Sequence, residues 1–160
     1  MEGNTNYLEI TIGAVLVYNF VLSRFMGVCP FLGVSKRLDT ALGMGGAVIF
    51  VMAIASFATS LVYQYLTTEI EFLGHHLNLV FLKITLFILI IAALVQIVEV
   101  ILQKLSPPLY KALGIYLPLI TTNCAVMGAA SINAQEGRGI LAATLFGTFS
   151  GIGFALALLI

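Results

Sequence analysis

The sequence predicts an all-α fold, a polytopic membrane protein built as a bundle of helices. Of its 160 residues, 61% are apolar and 9% are charged, and the mean hydropathy is +1.11. A soluble domain of this size cannot bury so many apolar side chains, because its surface is large relative to its volume. Lys plus Arg balance Asp plus Glu at 7 each, so the chain has no basic field that would hold nucleic acid.

Five apolar segments are separated by short polar stretches. Each is longer than the roughly 20 residues that cross the hydrocarbon core as a helix. Since lipid offers no partner to open backbone groups, each segment should be helical. Uninterrupted apolar runs such as residues 84–95 also lack the alternation of a membrane β-strand. In order, the segments are I (8–35), II (40–66), III (78–102), IV (109–133) and V (139–160).

The loops between the segments predict the orientation, because cytoplasmic loops collect Lys and Arg. The first and third loops carry the basic residues Lys36, Arg37, Lys104 and Lys111. The fourth carries Arg138, and the second carries Glu69, Glu71, His75 and His76, with Lys83 just inside segment III. We therefore predict that the N-terminus lies outside the cytoplasm. The two histidines indicate a solvated loop, because metal ligands on one helix face would be three or four residues apart.

Segments I and IV contain interruptions that the other segments lack. Pro30 lies within residues 26–33 and Pro118 within residues 117–128, and each proline removes a backbone donor and clashes with the preceding turn. A broken helix is tolerated in a bilayer only where the freed groups face protein or a cavity. Three polar residues of segment IV are able to satisfy such groups locally: Thr121, Thr122 and Asn123.

Both interruptions contain a cysteine followed four residues later by a glycine. These pairs are Cys29 with Gly33 and Cys124 with Gly128. Matching broken segments in two halves of a membrane protein are typical of an inverted repeat with the working site at its axis. We therefore predict a single membrane domain over residues 1–160. Its first three-span repeat would comprise residues 1–77 and 78–103, and its incomplete second repeat residues 104–160.

The two cysteines admit three interpretations. Each could be a small buried hydrophobic residue, as most membrane cysteines are. A disulfide between them is disfavoured at mid-membrane, away from the oxidising machinery. Their thiolates could instead bind iron or an iron–sulfur cluster. Two thiolates cannot complete a four-sulfur site, so this last interpretation requires two more from a second chain.

Segment III carries Gln96, Glu99 and Gln103 on one helix face, at positions i, i+3 and i+7. An intramembrane carboxylate could mark an ion or proton step, because such groups are rare. We favour the alternative that Glu99 lies near the cytoplasmic end and reaches the interface or pairs with Lys104. Arg24 in segment I could neutralise a nearby anion or pair with another protein of the complex.

Four sequence motifs together resemble the RnfA/NqrE family of membrane subunits. They are GVCPFLGVSK at 27–36, LGIYLPLITTNCAV at 113–126, Val95-Gln96 with Glu99, and Pro108-Leu109-Tyr110. Pro30 and Gly33 favour the Rnf branch, an ion-translocating electron-transport complex, over the sodium-pumping NADH:quinone oxidoreductase. The resemblance extends from about residue 7 to the end of the sequence.

The resemblance implies a six-span protein with broken helices I and IV, of which five spans are predicted here. It implies a homologous partner of opposite topology, RnfE-like or NqrD-like. It also implies a [2Fe–2S] cluster held in the membrane by two cysteines from each of the two chains. Carried over by motif, the ligands would be Cys29 and Cys124. The residues around the cluster would be Gly27, Pro30, Gly33, Thr121, Thr122, Asn123 and Gly128.

The function that the resemblance implies is an electron relay in a bacterial or archaeal cytoplasmic membrane, without catalysis by this chain alone. The complex would also contain the Rnf subunits B, C, D and G. It would couple electron transfer between ferredoxin and NAD to movement of Na⁺ or H⁺. The alternative is a secondary transporter or channel subunit with inert cysteines, in which the Glu99 face and freed backbone carbonyls bind the ion. A third option is a purely structural membrane subunit.

Overall fold

The computed structural model describes residues 6–34, 36–73, 79–114 and 116–160, and every regular element within these ranges is a helix. The all-α prediction is therefore confirmed. His75 and His76, predicted to lie in a solvated loop, are outside the described residues. The elements are α1 (Tyr7–Ile12) with a π-helical turn directly after it (Gly13–Val17), α2 (Val28–Val34), α3 (Leu38–Leu73), α4 (Leu79–Leu105), α5 (Pro107–Leu113), α6 (Leu117–Thr121), α7 (Cys124–Gln135) and α8 (Ile140–Leu159).

Among the described residues, three helices are long and apolar enough to cross a membrane, and they correspond to the predicted segments II, III and V. The spans are Leu38–Thr68 in α3, Phe81–Leu105 in α4 and Ile140–Leu159, which is α8. Four residues assigned to loops lie in helices instead. Glu69 and Glu71 belong to α3, Lys104 to α4 and Lys111 to α5. Helix α3 continues past the predicted end because residues 47–73 contain neither glycine nor proline.

Segment I is broken as predicted, but the break lies earlier in the chain. The stretch without α- or π-helix covers residues 18–27 and ends before Cys29. Pro30 falls in the first turn of α2, where a missing N–H needs no partner, so our interpretation of Pro30 as the helix breaker is wrong. The backbone breaks the helix at Phe25 and Gly27, whose φ angles of +53° and +81° are incompatible with a right-handed helix.

Segment IV is also broken, into α5, α6 and α7. Pro118 lies at the second position of α6, so it begins a helix and does not interrupt one. The break before α7 lies at Thr122 and Asn123, and α7 begins at Cys124. The interruption therefore falls within the predicted residues 117–128, but our attribution of it to Pro118 is wrong.

The centre of the fold is the contact between α3 and α8, where small residues bring the two backbones close together. A Cβ atom at Gly151 would lie 2.9 Å from the Cα of Ile49, and one at Gly45 would lie 3.1 Å from the Cβ of Ala155. Lipid tails are as apolar as the helix surface, so the hydrophobic effect does not drive membrane helices together. Helices in lipid associate instead through the close packing that such small residues allow. The two helices that follow the broken segments thus form the core, while the inverted repeat itself stays a prediction.

Helix α4 lies at the edge of this bundle. Only 17% of its span is buried, compared with 44% for α3 and 50% for α8. Its buried stripe consists of Phe87, Ile91 and Val95, which are spaced by four residues and so share one helix face. Most of the remaining described surface of α4 is apolar and would face lipid or another protein of the complex, apart from the polar face with Gln96 and Glu99.

Candidate functional site

The break in segment IV is stabilised by its own polar side chains. The Oδ1 of Asn123 accepts a hydrogen bond from the Ala125 backbone N–H at 3.0 Å and caps the start of α7. The Thr122 hydroxyl donates to the Pro118 carbonyl at 3.1 Å. The prediction that these residues satisfy freed backbone groups is therefore confirmed for Thr122 and Asn123. Their bonds place Cys124 as the first residue of α7.

Cys124 is exposed on the surface of the chain. Its thiol lies 3.9 Å from the Thr122 carbonyl oxygen, which is a weak contact. Cys124 is the first residue of α7, and the partial positive charge at a helix N-terminus favours a negatively charged group there. Its exposed thiol therefore lies at a helix N-terminus, next to the break in segment IV.

The break in segment I depends on an asparagine that the sequence interpretation did not single out as a functional residue. Asn19 is buried, and its Oδ1 accepts from the Val21 backbone N–H at 3.1 Å. Its Nδ2 donates to the Gly153 carbonyl at 3.0 Å, which ties the start of the break to α8. The chain then turns through Gly27 into α2, where Cys29 is the second residue and is exposed.

The two breaks pack against each other. A Cβ atom at Gly27 would lie 3.0 Å from the Oδ1 of Asn123 and 3.4 Å from the Cβ of Ala125. Gly27 is two residues before Cys29, and Asn123 directly precedes Cys124. The fold therefore brings together the two segments that carry the cysteines.

The other two predicted glycines also lie at contacts between the broken segments. A Cβ atom at Gly128 would lie 2.7 Å from the Sδ of Met26 and 3.1 Å from the ring of Phe20. One at Gly33 would lie 3.4 Å from the ring of Tyr116. Glycine at these positions lets the segments approach more closely than a larger residue would allow. Their predicted place around a cluster stays a prediction.

A groove of about 640 Å³ opens beside Cys124. Its walls come from α4, from the break in segment I and from α7, and most of the lining is apolar. Cys124 and Arg24 both line it, whereas Cys29 does not. The complete lining is Arg24, Met26, Ile88, Ile91, Thr122, Asn123, Cys124, Met127, Gly128, Ser131, Ile132 and Gln135.

The two cysteines are the candidate metal ligands of this chain. Both thiols are exposed, and the segments that carry them contact each other. Within the described ranges, no group of three or more His, Cys, Asp or Glu residues is placed to hold a metal ion, so a four-sulfur site needs ligands from outside this part of the chain. Asn123 is 3% exposed and its Nδ2 has no hydrogen-bond partner, which leaves one buried donor beside Cys124.

The polar face of α4 is separate from this groove. Gln96 is exposed and Glu99 is half-buried, and neither lines the groove beside Cys124. We favoured the prediction that Glu99 reaches the interface or pairs with Lys104. The pair is absent from the described residues, where the one ion pair joins Arg138 to Glu136, and the contact of Glu99 with the interface stays a prediction. A role for Gln96 and Glu99 in ion or proton movement stays a prediction.

Two of the residues that shape the breaks were missed, and they differ in how well the sequence indicates them. Asn19 is an amide within an otherwise apolar span, and asparagine is favoured where it can bond the backbone of a turn. Met26 is next to Gly27, but its contact with Gly128 depends on tertiary packing and has no local signature.

Comparisons with known proteins find a family of membrane subunits. Residues 7–160 match the family described as "Rnf-Nqr subunit, membrane protein". The chain is 54% identical over 155 residues to the A subunit of the ion-translocating oxidoreductase complex of Syntrophotalea carbinolica, an alignment that covers 97% of this chain and 77% of that protein.

Two further relatives carry similar names. The A subunit of the Na(+)-translocating ferredoxin:NAD(+) oxidoreductase complex of Acetobacterium woodii is 54% identical over 151 residues, covering 94% of this chain and 75% of that protein. The A subunit of the ion-translocating oxidoreductase complex of Escherichia coli is 47% identical over 156 residues, covering 98% of this chain and 77% of that protein.

Proposed function

The chain belongs to the Rnf-Nqr family of membrane subunits, and we propose that it serves as the electron relay of an ion-translocating ferredoxin:NAD oxidoreductase complex. Its family membership confirms the resemblance that the cysteine motifs predicted. The names of three relatives, each 47% or more identical, support the assignment to such a complex. The relay role rests on the cysteines of this chain.

The observation that supports the relay most directly is the contact between the two breaks, each next to an exposed thiol. Cys29 and Cys124 would hold one half of a [2Fe–2S] cluster, and a homologous RnfE-like or NqrD-like subunit would supply the other two thiolates. When bound, such a cluster accepts and releases one electron at a time.

The surrounding residues of this chain would position the two ligands. Asn123 fixes the backbone at Cys124 by capping α7, and Asn19 fixes the start of the segment that leads to Cys29. Gly27 lets the two segments meet. The apolar groove walls would exclude water, and low solvent exposure is one of the factors that sets the potential of a protein-bound cluster.

The proposal extends to the partners and location of the chain. Its neighbours would be the Rnf subunits B, C, D and G together with an RnfE-like subunit, in the cytoplasmic membrane of a bacterium or archaeon with the N-terminus outside. The complex would couple electron transfer to movement of Na⁺ or H⁺. The exposed apolar surface of α4 supports burial against lipid or these neighbours.

Iron and acid-labile sulfide analysis of the purified complex tests this function. We expect the C29S and C124S complexes to contain less of both than the wild-type complex, by the amount of one [2Fe–2S] cluster. The A93S variant is the matched control, because Ala93 is a small, exposed residue of α4. We expect it to retain the wild-type content.

The transporter alternative predicts a different outcome. If the cysteines are inert, both cysteine variants keep the wild-type iron and sulfide content. The chain alone would then move Na⁺ or H⁺ in liposomes, and the Glu99→Gln change would reduce that flux. This combination of results would contradict the relay proposal.

A further inference from the structure

Arg24 is a cation within the predicted membrane segment I, and it lines the groove that contains Cys124. It lies in the break between the π-helical turn and α2, and its side chain is exposed on the isolated chain. The other groove residues are apolar or neutral and include no carboxylate. The ion pair formed within the described ranges joins Arg138 to Glu136, so no described carboxylate balances Arg24.

An unbalanced guanidinium inside a membrane is stabilised by an anion beside it. Arginine stays charged under all ordinary conditions, and a charge inside a membrane is costly unless it is paired or hydrated. Such residues pair with a partner in the bundle interior and mark functional positions. The same groove contains Cys124, one of the two proposed cluster ligands.

The proposed [2Fe–2S] cluster is an anion that could pair with Arg24. Two ferric ions, two sulfides and four thiolates sum to a net charge of minus two, and one added electron makes the sum minus three. A nearby cation stabilises the more negative form, because attraction between opposite charges is strong where water is excluded. Net charge is one of the factors that set cluster potentials.

We propose that Arg24 is the counter-charge of the bound cluster and raises its reduction potential. This inference rests on the proposed function and deepens it. The electron would come from the reduced ferredoxin side of the complex and would convert one ferric ion to ferrous, with no bond broken and no proton moved. Arg24 is a positioning residue in this step, because it contributes its charge and makes no bond to iron.

Redox titration of the purified complex, monitored by electron paramagnetic resonance, tests the inference. At the potential where the wild-type cluster is half reduced, we expect Arg24→Met to lower the ratio of reduced to oxidised cluster by about tenfold, which corresponds to 59 mV for a one-electron couple. Arg24→Lys keeps the charge, so its midpoint should stay close to that of the wild type. Arg37→Met is the matched control, because Arg37 is exposed just before α3 and does not line the groove.

The outcomes separate this inference from the function on which it rests. If Arg24→Met keeps both the cluster and the wild-type midpoint, the counter-charge role is wrong and the relay function stands. If the wild-type complex contains no cluster that depends on Cys29 and Cys124, both are wrong.

Arg24→Lys and Arg24→Gln distinguish the counter-charge from an ion pair with a neighbouring protein of the complex. If Arg24→Met does not assemble, a low midpoint in Arg24→Gln together with a near-normal one in Arg24→Lys supports the inference. If both variants lose a subunit other than the RnfE-like one while the cluster keeps its wild-type midpoint, Arg24 pairs with that subunit and the inference is wrong.

Discussion

Gly27 lies directly against Asn123, so that a Cβ atom at Gly27 would be 3.0 Å from the asparagine Oδ1 and 2.5 Å from the ring of Phe154. One residue belongs to the break in segment I and the other to the break in segment IV, which are separated by most of the chain. The contact leaves no room for a side chain. The two breaks therefore form one joint unit, and a change in either should disturb both cysteines.

The Gly27→Ala change should destabilise the protein. Its φ of +81° favours glycine, and a non-glycine residue there costs about 1–2 kcal/mol. Overpacking against Phe154 and Asn123 adds about 1–3 kcal/mol. Circular dichroism melting of the detergent-solubilised chain should show a lower midpoint temperature than for the wild type.

Gly46→Ala is the control for this change. Gly46 is an exposed glycine inside α3, and no atom lies within 4 Å of the place that its Cβ atom would occupy, so alanine should be neutral or slightly stabilising. Equal melting temperatures for the two variants would show that the close contact at Gly27 does not exist.

The Asn19→Ala change should loosen the break in segment I from α8. It removes the donor to the Gly153 carbonyl and the acceptor for the Val21 N–H. Leaving buried backbone groups unpaired costs about 1–3 kcal/mol. The same melting measurement should show a clear loss of stability, whereas Gln64→Ala, at an exposed site of α3, should show almost none. An unchanged melting temperature for Asn19→Ala would mean that these two hydrogen bonds do not stabilise the break in segment I.

The Gly151→Ala change should push α3 and α8 apart. Its Cβ would lie 2.9 Å from the Cα of Ile49, and a backbone atom cannot yield as a flexible side chain does. We expect a loss of about 1–3 kcal/mol, measured as a lower melting temperature. Gly46→Ala is again the control, because Gly46 lies inside α3 and no described atom outside its own helix lies within 4 Å of the same position. Similar stability of both variants would contradict the close packing of α3 on α8.

Hydropathy predicted the membrane helices well, because an apolar run of about 20 residues is long enough to cross the hydrocarbon core. Lipid then requires that run to be helical, because it offers no partner to open backbone groups. Segments II, III and V form single helices close to their predicted bounds. The existence of two broken segments was also predictable, because the prolines within the apolar segments occur in I and IV alone, near the cysteines. These features are local, and the sequence contains them directly.

The positions of the breaks were not predictable from proline alone. Proline is tolerated in the first turn of a helix, and both Pro30 and Pro118 lie there. A helix can end before a proline or begin at it, and the outcome depends on the groups that stabilise the neighbouring backbone. In this fold those groups are Asn19, bonded to α8, and Asn123, bonded to α7.

The groove beside Cys124 depends on tertiary packing, so no sequence pattern indicates it. Its lining comes from three parts of the chain, including Arg24, Ile88 and Cys124. The sequence predicted that Arg24 could neutralise an anion, but a local sequence pattern does not indicate which anion would lie near Arg24. The juxtaposition of this arginine with Cys124 is evident only from the fold.

The electron paramagnetic resonance spectrum of the reduced, purified complex tests most directly whether Cys29 and Cys124 hold one cluster together. Spectra of the wild type, C29S, C124S and the A93S control would be compared after reduction with dithionite. We expect the same signal to disappear in both cysteine variants and to persist in the wild type and in A93S. A spectrum that stays unchanged in either cysteine variant would contradict a cluster shared by the two thiols.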